Sequence, residues 1–393
     1  MPQANTIKNK KKKQMKLNTK IIHGGVSPDP STGAIMTPIF QTSTYVQTGP
    51  NEHKGYDYSR AGNPTRTALE SSLAVLENGQ HGLAFSSGVA ATDAVMRLLK
   101  PGDEVIASND MYGGTYRLFS KIWADFGVKF TYANTADINS LENLISANTK
   151  MFWVETPTNP LLNITDIEAV ANLAKKANAL LVVDNTFASP YLQNPLNLGA
   201  DIVMHSATKY LGGHSDVIMG ALMTNSDDLK EKLFFIQKSS GAVPGPFDCF
   251  LVLRGIKTLH VRMQRHCENG SAVARFLADH PKVKNVYWPG FENAAGHAVA
   301  KRQMRDFGGM ISFELKDDDV EAAVKVLKST KIIALAESLG GVESLINHPA
   351  TMTHASVPRE ERLKNGLTDS LMRLSIGIED VSDLIDDLKQ AIG

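Results

Sequence analysis

The sequence predicts an α/β protein with a mainly parallel sheet in a large domain and a smaller α+β domain at the C-terminus. Three observations support this prediction. Short apolar runs alternate with helical stretches from about residue 60, this pattern changes after about residue 255, and 393 residues suffice for more than one hydrophobic core. We therefore place the large domain at residues 61–255 and the small domain at residues 256–393.

The chain begins with a lysine-rich segment, residues 1–15, that lacks hydrophobic periodicity. This composition predicts a disordered extension, because it offers too little apolar surface to offset the entropy lost on folding. A basic tail for nucleic acid is the alternative interpretation. Ordinary globular sequence starts at MKLNTKIIHGG, and residues 16–60 lead from there into the large domain.

The first helix of the large domain is marked at both ends. Asn63 is expected to be its N-cap, Pro64 its first helical residue, and Gly79 lies just past its end. Apolar residues recur between them at helical spacing, namely Leu69, Leu73 and Leu76. The segment therefore predicts a helix that packs one face onto a core.

Short apolar runs follow this helix: GLAF, EVIAS, VKFTY, MFWVE, ALLVV and DIVMH. The helical stretches between them include one that we expect to begin with a capping box formed by Thr165 and Glu168. Continuous apolar runs, in contrast to alternating ones, indicate strands that are buried on both faces. The pattern predicts a mainly parallel sheet with helices on both sides.

The C-terminal region has a different pattern. A long helical segment, IKTLHVRMQRHCENGSAVARFLADH, precedes a predicted strand, MISFEL. The chain ends with apolar residues at helical spacing, namely Val381, Leu384, Ile385, Leu388 and Ile392. These elements predict the smaller α+β domain.

Composition excludes several classes of partner. Lys and Arg number 41, as do Asp and Glu, so the net charge offers no attraction for nucleic acid or an anionic membrane. No apolar run approaches the length of a membrane span, and no secretory signal is evident. Cys249 and Cys267 are too few for a disulfide framework and lack metal-ligand spacing, which predicts buried fillers in a cytoplasmic protein without a metal site.

Polar residues lie where several predicted strands end, which is where ligands bind in open parallel sheets. The turn SSGVAATDAV follows GLAF and leads into a helix, Asp184 follows ALLVV, and Lys209 follows DIVMHS. A helix start can bind a phosphate ester, a carboxylate can hold a pyridinium nitrogen, and a lysine amine can form a Schiff base with an aldehyde. Pyridoxal 5′-phosphate (PLP) carries all three groups, so the sequence predicts a PLP site with Lys209 as its covalent tether.

The motifs of competing sites are absent. The sequence contains neither a Gly-x-Gly-x-x-Gly after a strand nor a Gly-x-x-x-x-Gly-Lys-Ser/Thr, so it lacks the phosphate loops of dinucleotide and triphosphate sites. It has no Gly-x-Ser-x-Gly elbow and no His-Glu-x-x-His pair. Hydrolase and zinc-protease chemistry are therefore disfavoured.

Seven motifs together resemble the Cys/Met-metabolism family of PLP enzymes, in the branch of cystathionine γ-synthases and γ-lyases. They are YSRAGNPT, YGGTY, ETPTNP, VDNTF, SATKYLGGHSD, AESLGG and MRLSIGIED. The similarity runs from about residue 16 to the C-terminus. It implies the fold of type I PLP-dependent transferases and a homotetramer.

The resemblance also implies roles for individual residues. Lys209 would bind the cofactor covalently, Asp184 would pair with the pyridine nitrogen, and Tyr112 would stack on the ring. The phosphate would be bound by Gly88, Val89, Ser206 and Thr208 and, from a neighbouring subunit, by Tyr58 and Arg60. Residues 16–60 would then form an arm that contacts this neighbour, and two subunits would build each site.

Substrate contacts centre on Arg373, which lies inside the apolar run LMRLSIGI. A buried guanidinium needs an anion, either a buried carboxylate of the protein or, as the resemblance implies, the α-carboxylate of an amino acid. Asn159 and Ser338 match positions that support this carboxylate site and the lysine. Glu337 and Asp57 could recognise a distal ammonium group, with surface solvation as the alternative for Asp57, and Arg117 could bind a second carboxylate or face solvent.

The resemblance implies chemistry at Cγ of an amino acid, with Lys209 as the base at Cα and Tyr112 as an acid or base at the leaving group, or as a stacking residue only. The expected reaction is γ-elimination of cystathionine to cysteine, 2-oxobutanoate and ammonia. The alternative is γ-replacement on an O-acylhomoserine by cysteine. Gly114 stands where methionine γ-lyases carry a cysteine, which disfavours methionine. Cystathionine β-lyase, a PLP aminotransferase and a non-catalytic binding protein are less favoured.

Overall fold

A computed structural model describes residues 15–353 and 359–393, and these residues form two sheets with helices around them. The extension predicted at residues 1–15 lies, except for Met15, outside the described residues. The predicted α/β class with a second, smaller sheet is confirmed. No helix within the described ranges is long and apolar enough to cross a membrane.

The first sheet has seven strands. They are β1 (His81–Phe85), β2 (Glu104–Ser108), β3 (Lys129–Ala133), β4 (Thr149–Glu155), β5 (Leu180–Asp184), β6 (Ile202–Ser206) and β7 (Gly220–Thr224). Their order is β1-β7-β6-β5-β4-β2-β3. The strands from β2 to β6 run parallel, whereas β7 runs antiparallel to both β1 and β6. The six predicted strands are present, and β7 is the strand that the sequence analysis missed.

Burial on both faces explains the continuous apolar runs. In β5, Leu181 and Val183 pack into one hydrophobic core, and Val182 packs into a second core on the opposite face. Side chains of a strand point alternately to its two faces, so a strand between two helix layers must be apolar throughout. In β4, β5 and β6 the polar residues therefore lie at the strand ends, whereas β3, at the edge of the sheet, has Thr131 exposed in its middle.

Helices cover both faces of the first sheet. In chain order they are α1 (Leu17–His23), α2 (Pro64–Leu76), α3 (Gly88–Met96), α4 (Gly113–Leu118), α5 (Ile138–Glu142), α6 (Ile167–Lys176), α7 (Ser189–Leu192), α8 (Asp227–Ser240) and α9 (Pro246–Ile256). A π-helical turn at Phe119–Trp123 follows α4, and a 3₁₀ turn at Pro195–Leu198 follows α7.

The predicted start of α2 is confirmed, since the Asn63 side chain accepts hydrogen bonds from the backbone of Thr65 and Arg66. At its end, Asn78 adopts the left-handed conformation (φ 55°), and the Gly79 N–H donates to the Ala74 carbonyl oxygen at 2.7 Å. The left-handed residue is thus the asparagine and not the glycine.

The predicted capping box at Thr165 is wrong. The N-cap of α6 is Asp166, whose Oδ1 accepts a hydrogen bond from the Ala169 N–H at 3.3 Å. Thr165 is buried, and its hydroxyl lies 2.7 Å from the Thr135 hydroxyl. That tertiary contact occupies the group that a capping box needs, so the carboxylate one residue later caps the helix.

Residues 16–60 are mostly irregular in structure. The segment is fastened to the start of α2 by hydrogen bonds, because the Thr65 hydroxyl donates to the Pro38 carbonyl oxygen at 2.8 Å and Arg66 Nη1 donates to the Ser59 carbonyl oxygen at 2.8 Å. One isolated antiparallel bridge joins Thr44 to Tyr58. We refer to residues 16–60 as the arm; its one helix is α1 (Leu17–His23).

The second sheet has the order β10-β11-β12-β9-β8 and is antiparallel except for the pair β10–β11. Its strands are β8 (Val283–Tyr287), β9 (Met310–Leu315), β10 (Ala334–Leu335), β11 (Leu345–Asn347) and β12 (Met372–Ser375). The accompanying helices are α10 (Leu259–Ala278), α11 (His297–Gln303), α12 (Val320–Ser329), α13 (Arg359–Lys364) and α14 (Val381–Ile392). The predicted strand MISFEL and the two predicted helices, now α10 and α14, are confirmed. The domain boundary at residue 255 stays a prediction.

Candidate active site

Lys209 lies in the turn after β6, with its backbone N–H bonded to the Ser206 carbonyl oxygen at 3.1 Å. Its Nζ donates a hydrogen bond to the Ser338 hydroxyl at 2.7 Å. Burial, with a smaller effect from the positive charge of Arg373, lowers the pKa of Lys209 to about 8, and Glu337 opposes this change. An appreciable fraction of this amine is therefore neutral near physiological pH, as a nucleophile or base requires.

Asp184 is the last residue of β5, one strand away from Lys209, and is 6% exposed. Its Oδ1 accepts hydrogen bonds from the N–H and the hydroxyl of Thr186, at 3.0 and 2.5 Å. Burial raises the pKa of Asp184, whereas the two Thr186 bonds lower it. The Thr186 hydroxyl also accepts from the Ser206 N–H at 2.9 Å, so it joins the ends of β5 and β6.

The start of α3 packs directly against the end of β6. A Cβ atom at Gly88 would lie 3.1 Å from Ser206 Cβ and 3.2 Å from Ser206 Oγ, so only glycine fits there without displacement. Gly88, Val89 and Ser206 are therefore brought together beside the positive end of the α3 dipole, where a phosphate is favoured. The Thr208 hydroxyl, by contrast, is bonded to the backbone of Met219, accepting from its N–H at 3.0 Å.

Arg373 lies on β12 and is 2% exposed. Nη1 donates to Asn159 Oδ1 at 2.7 Å, and Nη2 donates to the Ser338 carbonyl oxygen at 3.0 Å. Nε has no hydrogen-bond partner among the described residues. The two bonded partners are neutral oxygens, so within the described part of the chain no carboxylate directly neutralises this guanidinium. This favours an external anion over a structural ion pair.

Ser338 connects the lysine and the arginine. Its hydroxyl accepts from Lys209 and its carbonyl oxygen accepts from Arg373. It adopts φ 105°, which is unfavourable for a residue with a Cβ. The strained backbone places both oxygens between two cations, and the exposed Glu337 precedes it in the chain.

Tyr112 directly precedes α4, and its half-exposed side chain lies over Gly114. A Cβ atom at Gly114 would lie 2.3 Å from Tyr112 Cε1, so a larger residue there would displace the ring. The backbone N–H of Tyr112 donates to Glu155 Oε2 at 2.9 Å. The ring is thus positioned by a glycine on one side and by a buried carboxyl group at its backbone.

Sequence analysis missed two buried acidic residues of this region. Glu155 ends β4 beside Asp184, and the same signal, an acidic residue at the end of an apolar run, could have identified it. Asp110 follows β2 and accepts from the Thr158 hydroxyl, from the Leu161 N–H at 3.2 Å and from Asn163 Nδ2 at 3.2 Å. These bonds hold the loop that carries Asn159, and burial raises the pKa of Asp110 to about 6.

The remaining predicted site residues lie apart from this cluster or at its rim. Arg60 stacks on the Tyr58 ring at 5.5 Å and donates to the Lys238 carbonyl oxygen at 3.2 Å. The described contacts of this exposed pair do not include Lys209. Asp57, next to them, is exposed and accepts from the Tyr58 N–H at 2.7 Å, and Arg117 is exposed on α4.

The clustered residues fit PLP. Lys209 would supply a partly neutral amine, Asp184 would supply a buried carboxyl group for the ring nitrogen, and the bare Gly88 backbone would supply N–H groups for the phosphate. Arg373, whose Nε has no partner within residues 15–353 and 359–393, would offer its guanidinium to a carboxylate. No group of three or more His, Cys, Asp or Glu side chains in the described ranges is arranged to hold a metal ion.

Relatives with different names match this chain equally well. It is 53% identical over 378 residues to cystathionine gamma-lyase of Dictyostelium discoideum, covering 96% of this chain and 97% of the relative. It is 53% identical over 389 residues to cystathionine beta-lyase of Coxiella burnetii, covering 98% and 100%. It is also 53% identical over 377 residues to cystathionine gamma-synthase of Mycobacterium bovis, covering 95% and 96%.

The fold agrees with these similarities. The crystal structure of metB from Corynebacterium glutamicum superposes with a TM-score of 0.94 and 52% sequence identity, covering 96% of this chain and 98% of that one. The family model of Cys/Met metabolism PLP-dependent enzymes matches residues 18–393. The chain therefore belongs to the Cys/Met-metabolism family of PLP-dependent enzymes, as its motifs predicted.

Proposed function

We propose that the protein is a cystathionine γ-lyase, which converts L-cystathionine and water to L-cysteine, 2-oxobutanoate and ammonia. The observation that carries this proposal is the position of Glu337. It is exposed beside Ser338, and it acts electrostatically on both Lys209 and Arg373. A negative group at the rim of a site for an amino-acid carboxylate favours a substrate with a second, distal ammonium group, as cystathionine has.

Recognition of the substrate begins at Arg373. Its guanidinium binds the α-carboxylate, and Asn159, which already accepts from Nη1, keeps the guanidinium plane fixed. Burial lowers the pKa of Arg373 only to about 10, so the side chain stays charged at neutral pH. The carboxylate is thereby fixed at a constant position relative to Lys209, because Ser338 bonds to both cationic side chains.

Bound PLP supplies an electrophilic carbon for the substrate amine and a ring that accepts the electron pair left at Cα. The ionised carboxylate of Asp184 keeps the ring nitrogen protonated. Nζ of Lys209 removes the proton from Cα. It then removes a proton from Cβ, and the electron pair left at Cβ expels the γ-substituent. Tyr112 gives a proton to the departing sulfur. The Ser338 hydroxyl, which accepts a hydrogen bond from Nζ, keeps the lysine oriented for both proton transfers.

γ-Replacement is the alternative function. The same carboxylate site and the same lysine would serve an O-acylhomoserine: the Cγ–O bond breaks, the acyl group leaves as its carboxylate, and the sulfur of cysteine bonds to Cγ and gives up its proton. This alternative is supported by relatives named cystathionine gamma-synthase at the same 53% identity as the gamma-lyase relatives. β-Elimination of cystathionine, the activity named for the Coxiella relative, is a further candidate.

We also propose a homotetramer in which Tyr58 and Arg60 bind the phosphate in the site of a neighbouring subunit. Their exposure and their lack of a described contact with Lys209 support this arrangement. We place the enzyme in the cytoplasm, and the two buried, unpaired cysteines, Cys249 and Cys267, support a reducing compartment.

One assay series tests the proposed reaction. The PLP-loaded enzyme is given cystathionine alone, and separately cysteine with each O-acylhomoserine, and the kcat/KM values are compared. We expect the largest value for cystathionine alone, with 2-oxobutanoate and cysteine as products. Pyruvate and homocysteine as main products would establish β-elimination instead, and a larger value for the acyl-homoserines would establish the synthase. The Lys209→Ala variant serves as the blank for non-enzymatic release.

A further inference from the structure

Glu155 and Asp184 are direct neighbours in the first sheet. The register of the parallel strands β4 and β5 pairs these two residues, which are the last residues of their strands. Paired residues on neighbouring parallel strands point to the same face, so the two carboxyl groups lie side by side. Glu155 is 4% exposed and Asp184 is 6% exposed, so water screens little of their mutual repulsion.

The two carboxyl groups have different hydrogen bonds. Asp184 Oδ1 accepts two, both from Thr186. Glu155 accepts one, from the Tyr112 N–H to Oε2 at 2.9 Å, and its Oε1 accepts none from any described residue. Hydrogen bonds donated to a carboxylate stabilise its charged form, so Asp184 ionises more readily than Glu155.

Burial and two neighbouring carboxyl groups act on the pKa of Glu155 in the same direction. Burial raises the pKa of Glu155 well above its usual range, and Asp184 on β5 and Asp110 after β2 add to this effect. Arg373 on β12 opposes it, but two of its nitrogens are bonded to Asn159 and to Ser338. Two buried carboxyl groups on paired residues can share one proton, because the second negative charge is repelled by the first.

We propose that Glu155 is a positioning residue that holds this proton, so that Asp184 is the only ionised member of the pair, while Glu155 fixes the Tyr112 backbone through its carbonyl oxygen. The inference rests on the proposed function only in so far as Asp184 and Tyr112 contact the cofactor. A neutral Glu155 serves both tasks, because a protonated carboxyl group still accepts from the Tyr112 N–H and adds no second negative charge beside Asp184.

Two substitutions distinguish a neutral Glu155 that accepts a hydrogen bond from an ionised Glu155 whose charge is needed. Glu155→Gln retains a carbonyl oxygen for the Tyr112 N–H and is neutral at every pH, so it mimics the proposed state. Glu155→Leu has a similar size but removes the acceptor and leaves the Tyr112 N–H without its partner. Glu168→Gln, on the exposed surface of α6, is the matched control for the amide substitution.

The first measurement uses the cofactor-free protein, so it is independent of the proposed reaction. Infrared spectra at pH 8, where Asp110 with its pKa of about 6 is ionised, report the C=O stretching band of protonated carboxyl groups. We expect a band from ¹³C-labelled glutamate that Glu155→Gln removes and Glu168→Gln retains. If Glu155→Gln leaves the protonated-carboxyl region unchanged, Glu155 is ionised and the proposal is overturned.

The stability of the cofactor-free protein gives a second signal with a defined sign. The folded state raises the pKa of Glu155 above the unfolded value of 4.5, so it binds more protons than the unfolded state in that range. The contribution of Glu155 to stability therefore falls as the pH rises above 4.5 towards the folded-state pKa. Glu155→Gln should lose less stability than the wild type between pH 5 and pH 8, and an unchanged slope would contradict the proposal.

The loaded enzyme tests the positioning role. We expect Glu155→Gln to change the dissociation constant for PLP and kcat by less than about 3-fold. Glu155→Leu should raise the dissociation constant and lower kcat, each by roughly 10- to 100-fold, because a buried N–H is left unsatisfied. Equal losses in both variants would mean that the charge of Glu155 is needed, which overturns the proposal. If Glu155→Leu does not fold, the infrared and stability results for Glu155→Gln decide. A wild type inactive on cystathionine would overturn only the proposed function.

Discussion

Two regions that the family resemblance assigns to the same cofactor site differ sharply in their surroundings. At the ends of β4, β5 and β6, the polar side chains are buried and bonded to one another across neighbouring strands. In the arm, by contrast, Ile35 is 87% exposed, Val46 is 93% exposed, and Tyr58 and Arg60 contact each other on the surface. The arm is nevertheless fastened at its base to the start of α2.

This difference supports the proposal that the strand ends act within one subunit and that the arm acts between subunits. One chain preorganises the groups that we propose act on the cofactor ring and on the substrate carboxylate, because the sheets fix them before any ligand binds. The arm presents Ile35, Val46, Tyr58 and Arg60 to solvent, where the proposed neighbouring subunit would contact them. We therefore expect substitutions at the strand ends to act within each subunit and substitutions in the arm to act between subunits.

The largest effect is expected for Lys209→Ala. Activity on the amino-acid substrate should fall by about 10³-fold or more, since one positioned acid–base group contributes ~10²–10⁴-fold and the covalent tether is lost as well. The visible absorbance of the bound cofactor should disappear with it. Lys175→Ala, on the exposed surface of α6, is the control that should keep both. Normal turnover by the Lys209 variant would refute the central assignment.

Arg373→Ala should chiefly raise KM for the amino acid, by roughly 100-fold, because it removes one partner of a buried, charge-assisted contact. The absorbance of the bound cofactor should stay, which separates this variant from the previous one. Arg254→Ala, exposed on α9, is the matched control. An unchanged KM in a folded variant would show that the guanidinium has a structural role only.

The arm variants test whether the arm of one subunit and the strand ends of another build one site. Arg60→Ala should weaken PLP binding by about 10- to 100-fold through loss of a charged hydrogen bond to phosphate. An inactive Tyr58→Ala/Arg60→Ala double variant, mixed in equal amounts with Lys209→Ala, should regain roughly a quarter of the wild-type sites if subunits pair at random. No recovery in confirmed mixed oligomers would place the arm and the strand ends in separate sites.

The smallest effect is expected for Gly114→Ala. The added Cβ would lie 2.3 Å from Tyr112 Cε1, so the ring must move, and kcat should fall by about 10-fold through misplacement of that ring. Gly245→Ala is the control, because its Cβ would have Asp248 Oδ2 at 3.6 Å as its nearest neighbour. Equal kcat values for the two variants would mean that the position of the Tyr112 ring is not critical.

Local pattern sufficed for much of the architecture. The six apolar runs correspond to the strands β1 to β6. In inner strands such as β4 and β5, burial on both faces leaves this continuous signature in the sequence, and only the edge strand β3 is largely exposed. β7 was not predicted because it does not follow the alternation of strand and helix. It runs antiparallel between β1 and β6, and no helix separates it from β6 in the chain. The N-cap at Asp166 escaped because the Thr165 hydroxyl contacts Thr135, which is distant in sequence.

The sequence by itself determined which chemistry this protein can perform. It placed Asp184 and Lys209 at the ends of buried strands, and polar groups are confined to such ends because the strands have no solvated face. Only the tertiary structure decided which groups meet there. Asn159 bonds to Arg373 across 214 positions, Ser338 joins Arg373 to Lys209, and strand register sets Glu155 beside Asp184. Register and packing arise from contacts distant in the chain, which no local pattern encodes.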